Sequence, residues 1–333
     1  AEQLVAAVKR GDVAVATIDK AVRRILSLKF QMGLFDDPFV DEKQAVQLVA
    51  SSEHTGLARE VARQSIVLLK NKDKLLPLKK DIRTLAVIGP NADNVYNMLG
   101  DYTAPQADGT VVTVLDGIRQ KVSKETRVLY AKGCAVRDSS RTGFKDAIET
   151  ARNADAVVMV MGGSSARDFS SEYEETGAAK VTINQISDME SGEGYDRATL
   201  HLMGRQLELL EEISRLGKPV VLVLIKGRPL LMEGAIQEAE AIVDAWYPGM
   251  QGGNAVADVL FGDYNPAGRL TLSVPRSVGQ LPVYYNTRRK GNRSRYIEEP
   301  GTPRYPFGYG LSYTTFSYTD MKVQVTEGSD DCR

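Results

Sequence analysis

Thr84-Leu85-Ala86-Val87-Ile88-Gly89-Pro90 is a short apolar run closed by a Gly-Pro turn, and its reading decides the fold. The run is too short for a helix and no polar residue alternates through it, so it predicts a strand buried on both faces. Comparable runs recur at 127–131, 156–162, 219–226 and 241–247, and helical stretches near 112–122, 143–153, 203–217 and 252–261 lie between or after them. Two-face-buried strands alternating with helices predict an α/β fold, a three-layer sandwich whose mostly parallel sheet is covered by helices on both faces. In such a sheet the ligand-binding loops follow the carboxyl ends of the strands.

Upstream, residues 1–34 read as helix, with Thr17 a candidate N-cap for the second helical stretch and Gly33 its stop. These helices have no strand of their own to cover, which assigns them to a neighbour outside the chain. A third helix is expected over about 52–69. Downstream, residues 263–333 are rich in Pro and Tyr. Arg269–Val274 reads as an edge strand, Tyr284–Tyr309 as an extended arm over another surface, and Thr315–Val325 as the first strand of a further β domain.

The composition excludes several classes of function. The 333 residues carry a formal net charge of -1, with 43% hydrophobic and 26% charged residues, which removes the electrostatic case for nucleic acid or an anionic membrane surface. No run of apolar residues reaches bilayer length. The chain begins inside a helical pattern without Met, so it reads as a piece of a longer protein and its lack of a leader says nothing about compartment. Cys134 and Cys332 cannot form a disulfide framework, and His54 and His201 stand in no zinc spacing. No metal site and no cofactor is expected. Asn292-Arg293-Ser294 matches the short glycosylation pattern.

The chemistry-bearing stretch is Ser191-Gly192-Glu193-Gly194-Tyr195-Asp196-Arg197. It sets a carboxylate between two glycines, where the backbone can turn sharply and a ligand can approach. A glutamate so placed is usually a solvated loop residue. Here the loop opens at Gly162-Gly163-Ser164-Ser165 and runs to about residue 200, a length typical of functional or disordered segments. Arg167, Phe169, Tyr173, Glu190 and Glu193 give it the acids, cation and aromatic faces that sugars favour. Asp196 and Arg197 read as a mutual pair or as caps of the following helix. Gly89-Pro90-Asn91 lacks a dinucleotide fingerprint, Gly249-Met250-Gln251-Gly252-Gly253 reads as a tight turn, and no Ser sits in a nucleophile elbow.

Taken in order, Gly33-Leu34-Phe35-Asp36, Ser65–Asn71, Ile88–Ala92, Ser191–Arg197, Ala245-Trp246-Tyr247-Pro248-Gly249, Asp263–Leu270 and Tyr305–Tyr313 resemble the carboxyl-side portion of a family 3 glycoside hydrolase of the β-glucosidase type. The resemblance implies an enzyme of three parts: a (β/α)8 barrel, an α/β sandwich and a fibronectin-type β domain. It assigns residues 1–40 to the last helices of the barrel and a linker, 41–283 to the sandwich, and 284–333 to an arm and the start of the third part. It makes Glu193 the catalytic acid/base, with Glu190 the nearby rival, and puts the nucleophilic aspartate on a barrel absent from this chain. It also implies a β-glucoside or oligosaccharide substrate, a possible homodimer, and a periplasmic or secreted setting.

Where the family commonly has a Gly/Ser-rich sugar-contacting stretch, this chain departs from the pattern with Leu99-Gly100-Asp101-Tyr102-Thr103, in which Asp101, Tyr102 and Thr103 are what remains as substrate-contact candidates. Arg167 and Phe169 are candidates for the site entrance. β-Xylosidase is the alternative activity, because the residues selecting ring size lie mainly on the barrel. The alternative from another class is a non-catalytic sugar-binding or scaffold module.

Overall fold

The computed structural model describes residues 2–166, 188–286 and 296–323. Its backbone divides into two compact units, Ala1–His54 and Thr55–Arg333. The first holds α1 (Glu2–Lys9), α2 (Val15–Gln31) and α3 (Glu42–Leu48), none of which buries a residue. Leu4, Val5, Val22, Ile25 and Leu26 are all exposed. Helix α2 begins after Ala14 and not at Thr17: Ala14 has the extended backbone of an N-cap but no side chain to accept a hydrogen bond.

The second unit is built on one six-stranded sheet in the order β1-β6-β5-β4-β2-β3. The strands are β1 (Val67–Asn71), β2 (Thr84–Ile88), β3 (Arg127–Ala131), β4 (Ala156–Gly162), β5 (Val220–Ile225) and β6 (Ala241–Trp246). All neighbours are parallel except β1, which pairs antiparallel with β6. Strands β4 and β5 are buried along their whole length, as continuous apolar runs require. The period of two sends Val158, Val160, Val221 and Val223 into one core with α4 (Ser52–Ser65), α5 (Val114–Lys121) and α9 (Gly252–Leu260). It sends Val157, Met159, Leu222 and Leu224 into a second core with α6 (Phe144–Arg152), α7 (Gln206–Ser214) and α8 (Glu233–Glu238). The expected three-layer α/β sandwich is therefore present.

Three local expectations are corrected. The third helix stops at Ser65, and Val67–Asn71 is a strand; its apolar residues face both cores, a burial that a helix with one apolar stripe does not achieve. Arg269–Val274 forms no strand, only the isolated bridge Val274–Tyr305. Residues 315–323 of the run expected to begin a β domain carry no strand either. The end of the tyrosine-rich arm packs on the sheet of its own chain. Between Tyr305 and Tyr313 it lies along the β1 edge, with the Leu311 N–H donating to Leu68 O at 2.8 Å and the Tyr309 hydroxyl to Leu69 O at 3.2 Å. The Tyr313 hydroxyl donates to Val259 O. The arm thus covers an edge that would otherwise expose its strand ladder. Burial pushes the Tyr305 hydroxyl up to about 12.

Helices α5 and α9 meet backbone to backbone. A β-carbon on Gly253 would lie 1.9 Å from Thr113 O, and one on Gly117 would lie 2.1 Å from Gly253 O. Neither backbone can yield without breaking the Gly253 N–H bond to Val112 O at 3.0 Å. Gly253→Val is expected to lower unfolding free energy by about 3 kcal/mol; a urea midpoint equal to that of the unaltered chain would contradict this packing.

Candidate active site

The parallel strands run β3-β2-β4-β5-β6 across the sheet, so the order reverses between β2 and β4. The carboxyl ends of these two strands open a crevice, the usual ligand position in an open α/β sheet. The loops leaving β2 and β4 are tied together there. The Asn91 amide donates to Gly163 O at 3.0 Å, and the Asn97 amide donates to Asn91 Oδ1 at 2.7 Å. The Ser164 hydroxyl donates to Asn97 Oδ1 at 2.6 Å. All three side chains are buried, so the network fixes the mouth of the crevice.

The chain leaves this mouth at Ser164 and returns to it. The N–H groups of Glu190 and Ser191 both donate to Ser164 O, at 2.8 and 3.2 Å. The returning segment therefore starts over the switch point whatever path lies between. Asp188 accepts the Val136 and Arg137 N–H groups, and Arg137 donates to Met189 O at 2.8 Å. The Ser191 and Tyr247 hydroxyls are 3.0 Å apart, which joins the segment to the loop after β6.

Glu193 stands at the tip of this returning loop and is exposed. The glycines on either side have positive φ, +116° at Gly192 and +81° at Gly194, a backbone that other residues adopt only with strain. A β-carbon on Gly192 would also come within 2.8 Å of Asp101 Oδ2. The Glu193 N–H donates to that same oxygen at 3.2 Å, and the Tyr102 hydroxyl donates to Glu193 Oε2 at 2.8 Å. The post-β2 loop thus holds both the backbone and the carboxylate of Glu193.

Glu190 has a different environment. It is 3% exposed, and its Oε2 accepts from Arg197 at 2.6 Å. Arg197 therefore pairs with Glu190, not with its neighbour Asp196, and it lies well ahead of α7, which it does not cap. Of the two acids that sequence left in competition, one is buried in an ion pair and the other is accessible. Tyr102, expected near the sugar, lies against Glu193. Arg167 and Phe169 fall outside the described residues.

Sequence reasoning missed several members of this arrangement. Arg228 lies 4.0 Å from Glu190 Oε2 and donates to Tyr195 O at 3.4 Å. Lys226 at the end of β5 pairs with Asp244 of β6 at 2.6 Å, both buried, with its ammonium 4.3 Å from the centre of the Trp246 ring. The one available signal was a charged residue closing an otherwise apolar strand. Cys134 is buried, which pushes its thiol up to about 12, so it is no nucleophile at neutral pH. Among the described residues no cluster of His, Cys, Asp and Glu could hold a metal ion, and no helix is long and apolar enough to cross a membrane. The arrangement offers an accessible carboxylate, Glu193, on a glycine-flanked turn, held by a phenol and a backbone contact. Such a group can carry a proton.

Residues 66–313 match the family model described as the glycosyl hydrolase family 3 C-terminal domain. The chain is 40% identical over 351 residues to the periplasmic beta-glucosidase of Salmonella typhimurium, covering 95% of this chain and 43% of that protein. It is 42% identical over 320 residues to a beta-xylosidase of Formosa agariphila, covering 93% and 41%. Among solved structures it is similar to a β-glucosidase from Erythrobacter marinus, with a TM-score of 0.78, 38% identity, and coverage of 95% of this chain and 42% of that one. The β-glucosidase from Listeria innocua in complex with glucose gives a TM-score of 0.76 at 32% identity, covering 94% and 41%. The chain spans less than half the length of each of these four relatives.

Proposed function

Because this chain belongs to glycosyl hydrolase family 3, we propose that it supplies the proton-transfer half of a retaining β-glucosidase, with Glu193 as general acid and then general base. The observation that carries this reading is the accessible Glu193 carboxylate on its double-glycine turn at the switch point, beside Tyr102. Retaining cleavage of a glycoside needs two carboxyl groups about 5–5.5 Å apart. One attacks the anomeric carbon, and the other protonates the leaving oxygen and later takes a proton from water. Glu193 fills the second role, and a barrel aspartate preceding the chain in the full-length protein fills the first. The uncovered apolar residues of α1 and α2 support the presence of such a neighbour, since a contiguous apolar face of this kind calls for burial.

β-Xylosidase activity is the second reading, favoured by the 42% identity to the Formosa agariphila enzyme. Both readings predict the same division of labour. The purified chain has no measurable turnover on aryl β-glucosides or β-xylosides, because one carboxylate cannot run a double displacement. The full-length protein hydrolyses one of the two with retained configuration. Turnover by the chain alone at ordinary enzymatic rates, about 1 per second or more, would remove the barrel from the mechanism. The ratio of kcat/KM for glucoside over xyloside in the full-length protein decides between the sugars.

A further inference from the structure

Glu190 and Arg197 flank Glu193, and their side chains close the loop on which it stands. Their carboxylate–guanidinium contact spans seven residues at 2.6 Å, and the two side chains are only 1% and 7% exposed. A β-carbon on Gly163 would come within 1.9 Å of Glu190 Oε1, so the carboxylate is packed flat on the strand end from which the loop departs. Arg197 also donates to His201 O. Arg228 approaches from the loop after β5 and holds Tyr195 O, inside the closed segment. The two glycines beside Glu193 have the widest conformational freedom of any residue. Left to themselves they would let its carboxylate swing. The base of the loop is closed by the buried pair, and its tip carries the two glycines.

We propose that the buried Glu190–Arg197 pair, with Arg228 beside it, is a positioning clamp that fixes the direction in which Glu193 delivers its proton. Neither residue touches substrate. The inference rests on the reading of Glu193 as the proton carrier. A clamp that merely stabilised the fold would be replaceable, since a buried ion pair exchanged for apolar side chains of similar volume often leaves stability unchanged or raised. A positioning clamp is not replaceable in that way, because a displacement of about 1 Å at a reacting group can cost about 100-fold in rate.

The test uses the full-length protein carrying Glu190→Leu together with Arg197→Met, which removes both charges of the 2.6 Å contact and leaves only the partly exposed Arg228 without its carboxylate neighbour. The expected result is an unchanged urea midpoint, an unchanged KM, and a kcat lowered by about 100-fold on alkyl β-glycosides, whose leaving groups need a proton. On a dinitrophenyl β-glycoside, whose leaving group departs unprotonated, the loss in kcat/KM, which reports the first step alone, should be much smaller. Arg197→Lys, which keeps the charge but loses the planar fork, should fall between. The clamp is overturned if the double variant keeps kcat on alkyl glycosides within about twofold of the parent. It is also overturned if both substrates lose activity equally and in step with stability. Glu193→Gln measured alongside separates the two claims: full activity of that variant on alkyl glycosides removes the acid/base reading itself, while its loss beside an active double variant removes only the clamp.

Discussion

Glu193→Ala in the full-length protein is expected to lower kcat on glycosides with poor leaving groups by about 10²–10⁴-fold, the usual contribution of a positioned general acid or base. The loss in kcat/KM should shrink as the leaving group improves, because an acidic phenol departs without being protonated, while kcat on such substrates stays low because the second step still lacks its base. Substrate affinity should change little, since the residue acts on the scissile oxygen and not on the sugar's other hydroxyls. The local structure explains why Glu190, Asp101 and Tyr102 do not substitute. Glu190, three residues away, is buried against Arg197, and Asp101 is occupied by the Glu193 N–H. Tyr102 can orient the carboxylate through its 2.8 Å bond but, as a phenol, is a far weaker acid. A series of aryl glycosides of graded leaving-group acidity checks this, and a uniform loss of kcat/KM across the series would point to misfolding in place of a missing proton.

The second large effect lies away from the site. Asp258 of α9 is fully buried and receives Arg59 of α4 through two bonds, at 2.7 and 2.6 Å. Arg63 donates to it at 2.7 Å, and Lys121 of α5 makes a third ion pair. This carboxylate is the electrostatic centre of the α4–α5–α9 layer. Removing its charge takes the ion-pair partner from Arg59 and leaves Arg63 with Glu60 and Lys121 with Asp263 in a partly buried cluster, so Asp258→Asn is expected to cost about 3 kcal/mol of stability. Burial acts to raise the Asp258 pKa, but the hydrogen bonds from Arg59, Lys121 and Arg63 prevail and hold it down to about 2. The folded-state value lies below the unfolded value of about 3.9, so the folded state binds the proton less readily. The stabilisation is therefore full above about pH 4 and is lost as pH falls toward about 2, a change of roughly 2–3 kcal/mol. Urea midpoints of parent and variant should differ widely at neutral pH and converge in acid. Parallel pH curves for the two would assign the acid sensitivity to other carboxylates.

The fold was largely legible because its central strands are buried on both faces. β4 and β5 are unbroken apolar runs buried throughout, while β6 carries Asp244 within its run and the edge strand β3, expected to be a comparable buried run, buries none of its residues. β1 escaped because it follows α4 with a single residue, Ile66, between them, so apolar residues of helix and strand merge into one pattern. The turn at Glu193 was visible through its glycines, which are needed at φ of +116° and +81°. The ion pair that closes that loop was not. Sequence proximity favoured Asp196 as the partner of Arg197, whereas chain reversal at the turn brings Glu190 to it. The Asp258 cluster joins residues 195 and 199 positions apart, a separation at which charge pattern carries no pairing information. The C-terminal tyrosines misled for a related reason: their alternation with Pro and Gly marks an extended segment without saying which surface it covers.

Chemical rescue of the alanine variant at Glu193 probes the proposed proton carrier most directly. With an activated aryl β-glycoside and sodium azide, the account predicts accelerated turnover and a β-glycosyl azide product. Azide attacks the glycosyl-enzyme intermediate without needing a general base, and the emptied side-chain position gives it room. A variant that hydrolyses alkyl glycosides at the parent's rate, or that neither speeds up with azide nor incorporates it, would contradict the assignment.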